Sequence, residues 1–337
     1  MVGRRPTMKD VASRAGVAFK TVSRVINGEP GVSEETARRV RRAAAELHYR
    51  RDATAGSLRR STRGTDSVGL LLASVDNDFD AAIHRGVEDA AQRHGLSVYA
   101  ASTDEDPARE RQLARGLLER RVDGLILMPS PADLGFLRPE LRLGTPVVAV
   151  DRPPHGIEVD TVASDNVRGA REGVAHLIGH GHRRIAVLTH LASLHTAAQR
   201  IAGAREAWEA AGLRPSDLVV VDDLSSQEEV VTAVDALLDA DAPPTALFTA
   251  RNLVTMGAVR ALQRRGMQRD VAVVGFDDVD LADLLDPPVT SVRQHPARLG
   301  ALALERLVVR RRDPAAPIER VVIPPELILR RSCGCGG

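Results

Sequence analysis

The chain has 337 residues, 43% hydrophobic and 27% charged, with a formal net charge of +1, a composition that suits a water-soluble protein of two or three compact units. No stretch approaches about eighteen uninterrupted apolar residues and no apolar segment follows the basic N-terminus, so neither a membrane span nor a secretory leader is expected, and the cytoplasm is the expected location. The near-neutral total hides an asymmetry, because residues 1–65 hold 15 Lys and Arg against 6 Asp and Glu while the remainder holds 31 against 39.

A basic head of that kind suits phosphate contact, where counterion release supplies sequence-independent affinity. Within it, Thr7 with Asp10 three residues on is a capping-box pattern that starts a helix. Val11, Ala12 and Ala15 give that helix an apolar side, and Gly16 breaks it. A second helix carries Val17, Val22, Val25 and Ile26 inward, which leaves Phe19, Lys20, Thr21 and Arg24 for the outward face. Side chains so placed meet base edges in a DNA major groove. A third helix runs from Ser33 as N-cap to Tyr49, with Glu34 and Glu35 in its first turn and Ala37, Val40, Ala44 and Leu47 at helical spacing. The alternative, a solvated basic hairpin, does not account for the concentration of positive charge on this one segment.

Residues 51–65 form a basic linker whose middle can make one or two helical turns from Asp52 as N-cap. So short a helix is marginal alone, and Gly56 weakens it by about 1 kcal/mol relative to Ala, so it is expected to fold only against DNA and a partner copy. From residue 66 onward, apolar strands alternate with helical stretches. Strands are expected over 67–73, 98–101, 124–127 and 147–150, with a helix over 81–94, and then over 185–188, 218–221, 246–248 and 271–274. Continuous apolar runs separated by helices imply parallel sheets covered on both faces, and two such series in succession imply two doubly wound lobes.

Polar loops follow the strand ends, where open parallel sheets bind ligands: Asp76-Asn77-Asp78, Asp151-Arg152, Thr249-Ala250-Arg251-Asn252 and Gly275-Phe276-Asp277-Asp278. Taken singly each is a solvated turn; jointly they converge on a cleft between the lobes. There is no Gly-rich phosphate loop, no Ser nucleophile elbow and no zinc spacing, so neither an enzyme nor a cofactor is indicated. His176, His180 and His182 are better read as a helix exit and turn than as metal ligands. The two cysteines, Cys333 and Cys335, fall in a Gly-rich tail that is expected to be frayed and unpaired.

The run from Met8 to Gly28, followed by Val32-Ser33-Glu34-Glu35-Thr36-Ala37-Arg38 and Glu46-Leu47-His48-Tyr49, resembles the lactose/galactose repressor family, and the likeness continues nearly to the C-terminus. The combination Thr21-Val22-Ser23-Arg24-Val25-Ile26-Asn27 is highly specific. The resemblance implies an α/β architecture with an N-terminal three-helix helix-turn-helix head over residues 1–50 and a hinge helix and linker over 51–65. A two-lobed, doubly wound, periplasmic-binding-protein-like body over 66–332 follows, its N-lobe about 66–163 and 293–323 and its C-lobe about 164–292 and 324–332, with a tail over 333–337. It also implies a ligand-responsive transcriptional regulator, expected to be a repressor, that binds a pseudo-palindromic operator in double-stranded DNA as a homodimer.

DNA contacts are then expected from Thr7, Phe19, Lys20, Thr21, Arg24 and Asn27, and from the hinge residues Leu58 and Arg59, with Leu58 wedged between base pairs in the minor groove. The effector is expected in the interlobe cleft, with Arg200 as its anchor and Asp277 as acceptor of its hydroxyls. Asp80, Asp151, Thr196, Leu224, Arg251, Asn252 and Gln294 stand on further lining positions. Departures from the family pattern are Ala18 for Ser or Thr, Arg51 for Pro, Gly56 for Arg, Asp80 for an aromatic ring and Arg251 for Asn. Asp accepts paired hydroxyl bonds and Arg donates in a fixed fork, which suits a sugar or polyol. Asp80, Asp151 and Asp277 are expected to balance Arg200 and Arg251 internally; a sugar phosphate held between the two guanidiniums is the alternative. A solute-binding transport protein and an enzyme acting on sugars or nucleosides are the rival readings. The basic head counts against the first and the missing catalytic constellation against the second. No heptad-bearing helix follows Arg331, so no tail-mediated tetramer is expected.

Overall fold

The computed structural model describes residues 6–49 and 64–334, which belong to two compact units divided at Thr65. The first contains helices α1 (Met8–Ala15), α2 (Phe19–Ile26) and α3 (Glu34–Glu46). The Thr7 backbone N–H donates to Asp10 Oδ2 at 2.7 Å and so closes the capping box of α1. Gly16, at φ 63°, ends the helix in the left-handed region where glycine carries no Cβ penalty. Val11, Ala12, Ala15, Val22, Val40, Ala43 and Ala44 form the buried core of this unit, with Val17, Val25, Ile26 and Leu47 packed against it. The third helix stops three residues short of Tyr49, because Leu47 caps it and His48 turns left-handed at φ 49°. Leu58 and Arg59, with the hinge residues Arg51, Asp52 and Gly56, lie outside the described residues.

The second unit holds two six-stranded sheets. The first comprises β1 (Ser67–Leu72), β2 (Ser97–Ser102), β3 (Leu125–Leu127), β4 (Val147–Val150), β5 (Asp160–Ser164) and β11 (Arg320–Ile323), in the order β11-β5-β4-β3-β1-β2. In the second, β6 (Ile185–Leu188), β7 (Val219–Val221), β8 (Ala246–Thr249), β9 (Ala272–Phe276), β10 (Thr290–Arg293) and β12 (Glu326–Ile328) follow the order β12-β10-β9-β8-β6-β7. All pairings are parallel except that of β10 with β12. The helices around the first sheet are α4 (Asp78–Arg93), α5 (Pro107–Glu119), α6 (Arg138–Arg142) and α11 (Pro296–Arg312). Those around the second are α7 (Asn166–Gly179), α8 (His195–Ala210), α9 (Gln227–Leu238) and α10 (Asn252–Arg265).

This is the two-lobed, doubly wound architecture implied by the alternation of apolar strands and helices. The chain passes from one sheet to the other three times, after β5, after β10 and after β11. In each sheet the strand order reverses beside the first strand, β1 in one and β6 in the other, and the crevice outside the carboxyl ends at such a reversal is where ligands bind. Each lobe is held by a close helix pair. A Cβ on Gly86 would lie 2.0 Å from Ala297 O and one on Gly300 2.1 Å from Ile83 O, so α4 and α11 approach to backbone contact; a Cβ on Gly203 would lie 2.2 Å from Val167 O, where α7 meets α8.

The structure also differs from the sequence reading at other places in the body. Helix α4 begins at Asp78 rather than at residue 81, because the Asn77 side chain accepts the Phe79 N–H at 3.0 Å and caps it there. Strand β2 is a largely exposed edge, with Tyr99 53% exposed, rather than a buried strand. Cys333 is fully buried in the second lobe's core with Phe248, Val274 and Phe276, rather than part of a frayed tail, while Cys335 lies outside the described residues.

Candidate functional sites

On the head, Lys20 and Arg24 stand two residues either side of buried Val22, which on a 3.6-residue helix puts both on the face of α2 away from the core. Lys20 is exposed and Phe19, Thr21 and Arg24 are half-buried, so the helix presents a mixed apolar and cationic surface one and a half turns long. The Thr7 hydroxyl donates to Asp10 Oδ2 at 2.7 Å, and Asn27 caps α2, its Nδ2 donating to Ser23 Oγ at 3.2 Å. These two residues therefore shape the ends of α1 and α2.

In the body, one cleft between the two sheets is lined from both lobes, by Asp80, Asp151 and Arg152 on one side and Arg200, Arg251 and Asp277 on the other. Asp151 and Asp277 are counterparts in the two lobes. Asp151 directly follows β4 and Asp277 directly follows β9; both have φ of 71°, and their backbone N–H groups donate to Val162 O at 2.8 Å and Val292 O at 3.0 Å respectively. Asp tolerates this left-handed conformation better than most residues.

Asp277 is firmly held. Its Oδ1 accepts from Gln294 Nε2 at 2.6 Å and its Oδ2 from the Asn252 N–H at 3.2 Å, and Oδ2 stands 4.0 Å from the Arg200 guanidinium. Arg200 extends from α8 and is 6% exposed. Its Nε donates to Asn166 Oδ1 at 2.8 Å and a terminal nitrogen to Ala250 O at 2.8 Å, while its guanidinium lies 3.9 Å above the centre of the Phe276 ring. Burial pulls its pKa below the ordinary value, against the attraction of Asp277 and Asp151.

Asp151 is held less tightly. Its Oδ2 lies 3.4 Å from Arg152 Nε, and its Oδ1 is buried without a hydrogen-bond partner among the described residues. Burial pushes its carboxyl upward. Arg152 is fixed by a bidentate pair of bonds to Glu105, at 3.0 and 2.8 Å, and its Nε, ion-paired with Asp151 Oδ2, is buried and makes no hydrogen bond among the described residues. A donor and an acceptor left over side by side match a hydroxyl group, which is both. Asp80 accepts the Ser74 N–H at 2.8 Å, and burial raises its pKa to about 7, so near neutrality it is available as donor and as acceptor. Burial lowers His190 to about 4 and keeps it neutral. The Arg251 side chain lines the cleft and makes no hydrogen bond among the described residues.

Of the residues expected at the effector site, Asp80, Asp151, Thr196, Arg200, Arg251 and Asp277 line this one cleft. Asn252 and Gln294 stand behind Asp277 as its hydrogen-bond donors. Leu224 is placed instead in the apolar core with Ala186, Leu188 and Val230, 6% exposed. Arg152, from the Asp151-Arg152 loop expected at the cleft, lines it as well, and so do Glu105, His190 and Phe79, which the sequence reading did not place there. Arg152 and His190 each follow a strand end closely, a signal the topology rule offers. Glu105 carries none, since only the fold brings it to Arg152, 47 residues away. Among the described residues no group of three or more His, Cys, Asp or Glu side chains is placed to hold a metal ion, and no helix is long and apolar enough to cross a membrane.

A helical head of this form and a two-lobed body with a polar cleft match known proteins along the whole chain. Residues 7–52 match the family model for bacterial regulatory proteins of the lacI family, and residues 174–333 a periplasmic binding protein-like domain. The ribose operon repressor of Haemophilus influenzae is 33% identical over 332 residues, 97% of this chain and 98% of that protein. The chain belongs to the lacI family. As a lacI-family protein it is a DNA-binding transcriptional regulator. Among solved structures, the lac repressor dimer bound to operator and the anti-inducer ONPF superposes with a TM-score of 0.85 at 26% identity, covering 98% of this chain and 99% of that one. The regulator CelR in complex with cellobiose gives 0.70 at 32% identity, covering 97% and 100%.

Proposed function

We propose that this chain is a cytoplasmic repressor that binds a pseudo-palindromic operator as a homodimer and senses a neutral sugar or polyol in the interlobe cleft, without catalysing a reaction on it. The observation that carries this reading is the pairing of carboxylate and guanidinium on both walls of one cleft, Asp277 with Arg200 and Asp151 with Arg152. Such walls offer acceptors and forked donors in fixed positions, the pattern that recognises vicinal hydroxyls. Relatives whose names record a ribose operon, cellobiose and an operator-bound dimer support the same class of ligand and partner. On the head, Phe19, Lys20, Thr21 and Arg24 read bases, Thr7 and Asn27 at the helix ends also contact the operator, and the hinge residues Leu58 and Arg59 reach the minor groove.

A second reading, a sugar phosphate, is favoured by one feature, the Arg251 guanidinium with no hydrogen-bond partner in the cleft wall. Against it, Arg200 and Arg152 are already engaged within the protein and Asp80 and Asp151 face the same space. A thermal-shift screen of sugars, sugar phosphates and nucleosides separates the two, because a ligand at a hundredfold over its dissociation constant stabilises by about 2.7 kcal/mol. Neutral sugars that shift the midpoint, with no greater shift from their phosphate esters, support the proposal. A phosphate ester that binds more tightly to wild type and loses the advantage in Arg251→Asn overturns the neutral-ligand assignment. Operator binding tested with and without residues 1–65 discriminates a regulator from a transport protein or an enzyme.

A further inference from the structure

The three crossovers are not the only ties between the lobes. Asn77, the N-cap of α4 in the first lobe, and Asn252, the first residue of α10 in the second, exchange hydrogen bonds: Nδ2 of each donates to Oδ1 of the other, both at 3.2 Å. Among the described residues this is the one side-chain hydrogen-bonded pair that joins the lobes away from the crossover segments. The orientation of both amides is fixed by a second bond. Oδ1 of Asn77 also accepts the Phe79 N–H at 3.0 Å, and Oδ1 of Asn252 the Leu253 N–H at 2.7 Å. Each oxygen is thus committed to its own helix N-terminus, which leaves each NH2 group directed at the opposite lobe. The Asn252 backbone N–H donates in turn to Asp277 Oδ2 at 3.2 Å, so the pair sits one bond away from the cleft's best-held carboxylate.

We infer that Asn77 and Asn252 form an interlobe latch that sets the ratio of closed to open molecules before any effector enters. Two neutral hydrogen bonds of ordinary strength shift such a ratio on the order of tenfold. A cleft biased toward closure is pre-organised, so an effector that selects the closed state binds more tightly by the factor through which the latch raises its population. Only this last consequence rests on the reading of the chain as a ligand-responsive regulator; the closure does not.

Small-angle X-ray scattering on the full chain, with no sugar added, tests the latch. Asn77→Ser keeps a hydroxyl to cap α4 but is too short to reach Asn252, and Asn252→Ala removes the opposite half. Each single variant is expected to show a larger radius of gyration than wild type, and the double variant the same increase as either single, because one broken half disables the pair. Unchanged scattering in variants with wild-type circular dichroism overturns the inference, as do two increases that add in the double variant. Should Asn77→Ser lose helical signal, Asn252→Ala carries the comparison alone. Operator binding by wild type in the same preparations keeps the two claims apart: its failure refutes the regulator reading and leaves the latch standing, whereas unchanged scattering refutes the latch alone.

Discussion

Replacing Asp80 by Asn isolates the carboxyl whose burial shapes the cleft most. Burial raises its pKa from 3.8 to about 7, with the Ser74 N–H and the nearby Arg251 and Arg152 opposing and Asp151 reinforcing the rise. A shift of about three units at 1.36 kcal/mol each bounds the cost of ionising it in the folded state at about 4 kcal/mol. The folded protein therefore holds this proton more tightly than the unfolded chain. The stability that protonated Asp80 contributes is fully present below the unfolded value near 3.8 and is lost as pH rises through about 7. The Asn carboxamide keeps an oxygen for the Ser74 N–H and does not titrate, so Asp80→Asn is expected to gain on wild type progressively from about pH 4 to about pH 7 and to keep a constant advantage above that. Differential scanning calorimetry of both proteins across that range measures the gap. A difference in stability that does not change with pH would refute the burial argument.

Other perturbations address other parts of the molecule. Arg24→Ala should cost roughly 1–3 kcal/mol in operator binding and relax preference at one base position, whereas loss of a phosphate-contacting Arg weakens all sequences alike. A randomised-operator selection that returns the same preference with Lys20 and Arg24 both replaced rules out their placement in the major groove. Gly203→Ala introduces a Cβ 2.2 Å from Val167 O and forces α7 and α8 apart. Overpacking of this kind costs typically about 1–3 kcal/mol, and calorimetry is expected to show a lowered midpoint with unaltered base preference. In the hinge, Leu58→Ala should loosen operator binding and reduce the DNA bend, and Gly56→Ala should tighten binding; an undiminished bend in Leu58→Ala rejects the wedge.

The architecture was legible in the sequence because its signals are local. Apolar runs such as Val147–Val150 and Ala246–Thr249 are buried on both sides, which is what a parallel sheet under helices requires. The head was legible for the same reason, with Gly16 and Ser33 marking helix ends by their own conformational preferences. Edge strands defeated the same logic, since β2 carries apolar residues such as Val98 and Tyr99 although one flank of the sheet ends there. At the cleft, Asp151 and Asp277 were visible as polar residues closing apolar strands, but their left-handed backbone and matching bonds to the neighbouring strand emerge only when the two lobes are compared. Contacts between distant segments left no trace: Glu105 with Arg152, and Asn77 with Asn252 across 175 residues, depend on the fold having already formed.

Coupling between the cleft and DNA is what a ligand-responsive regulator requires of this chain. Fluorescence anisotropy of the full chain on a labelled operator, titrated with a panel of pentoses, hexoses and cellobiose, measures that coupling directly in wild type and in Asp277→Asn. At least one sugar is expected to change operator affinity in wild type by a factor of about 5–150, the usual span of allosteric coupling. In Asp277→Asn that response should vanish while operator affinity without sugar is retained. A wild-type operator affinity indifferent to every sugar that binds, or a response that survives intact in Asp277→Asn, would contradict coupling through this cleft.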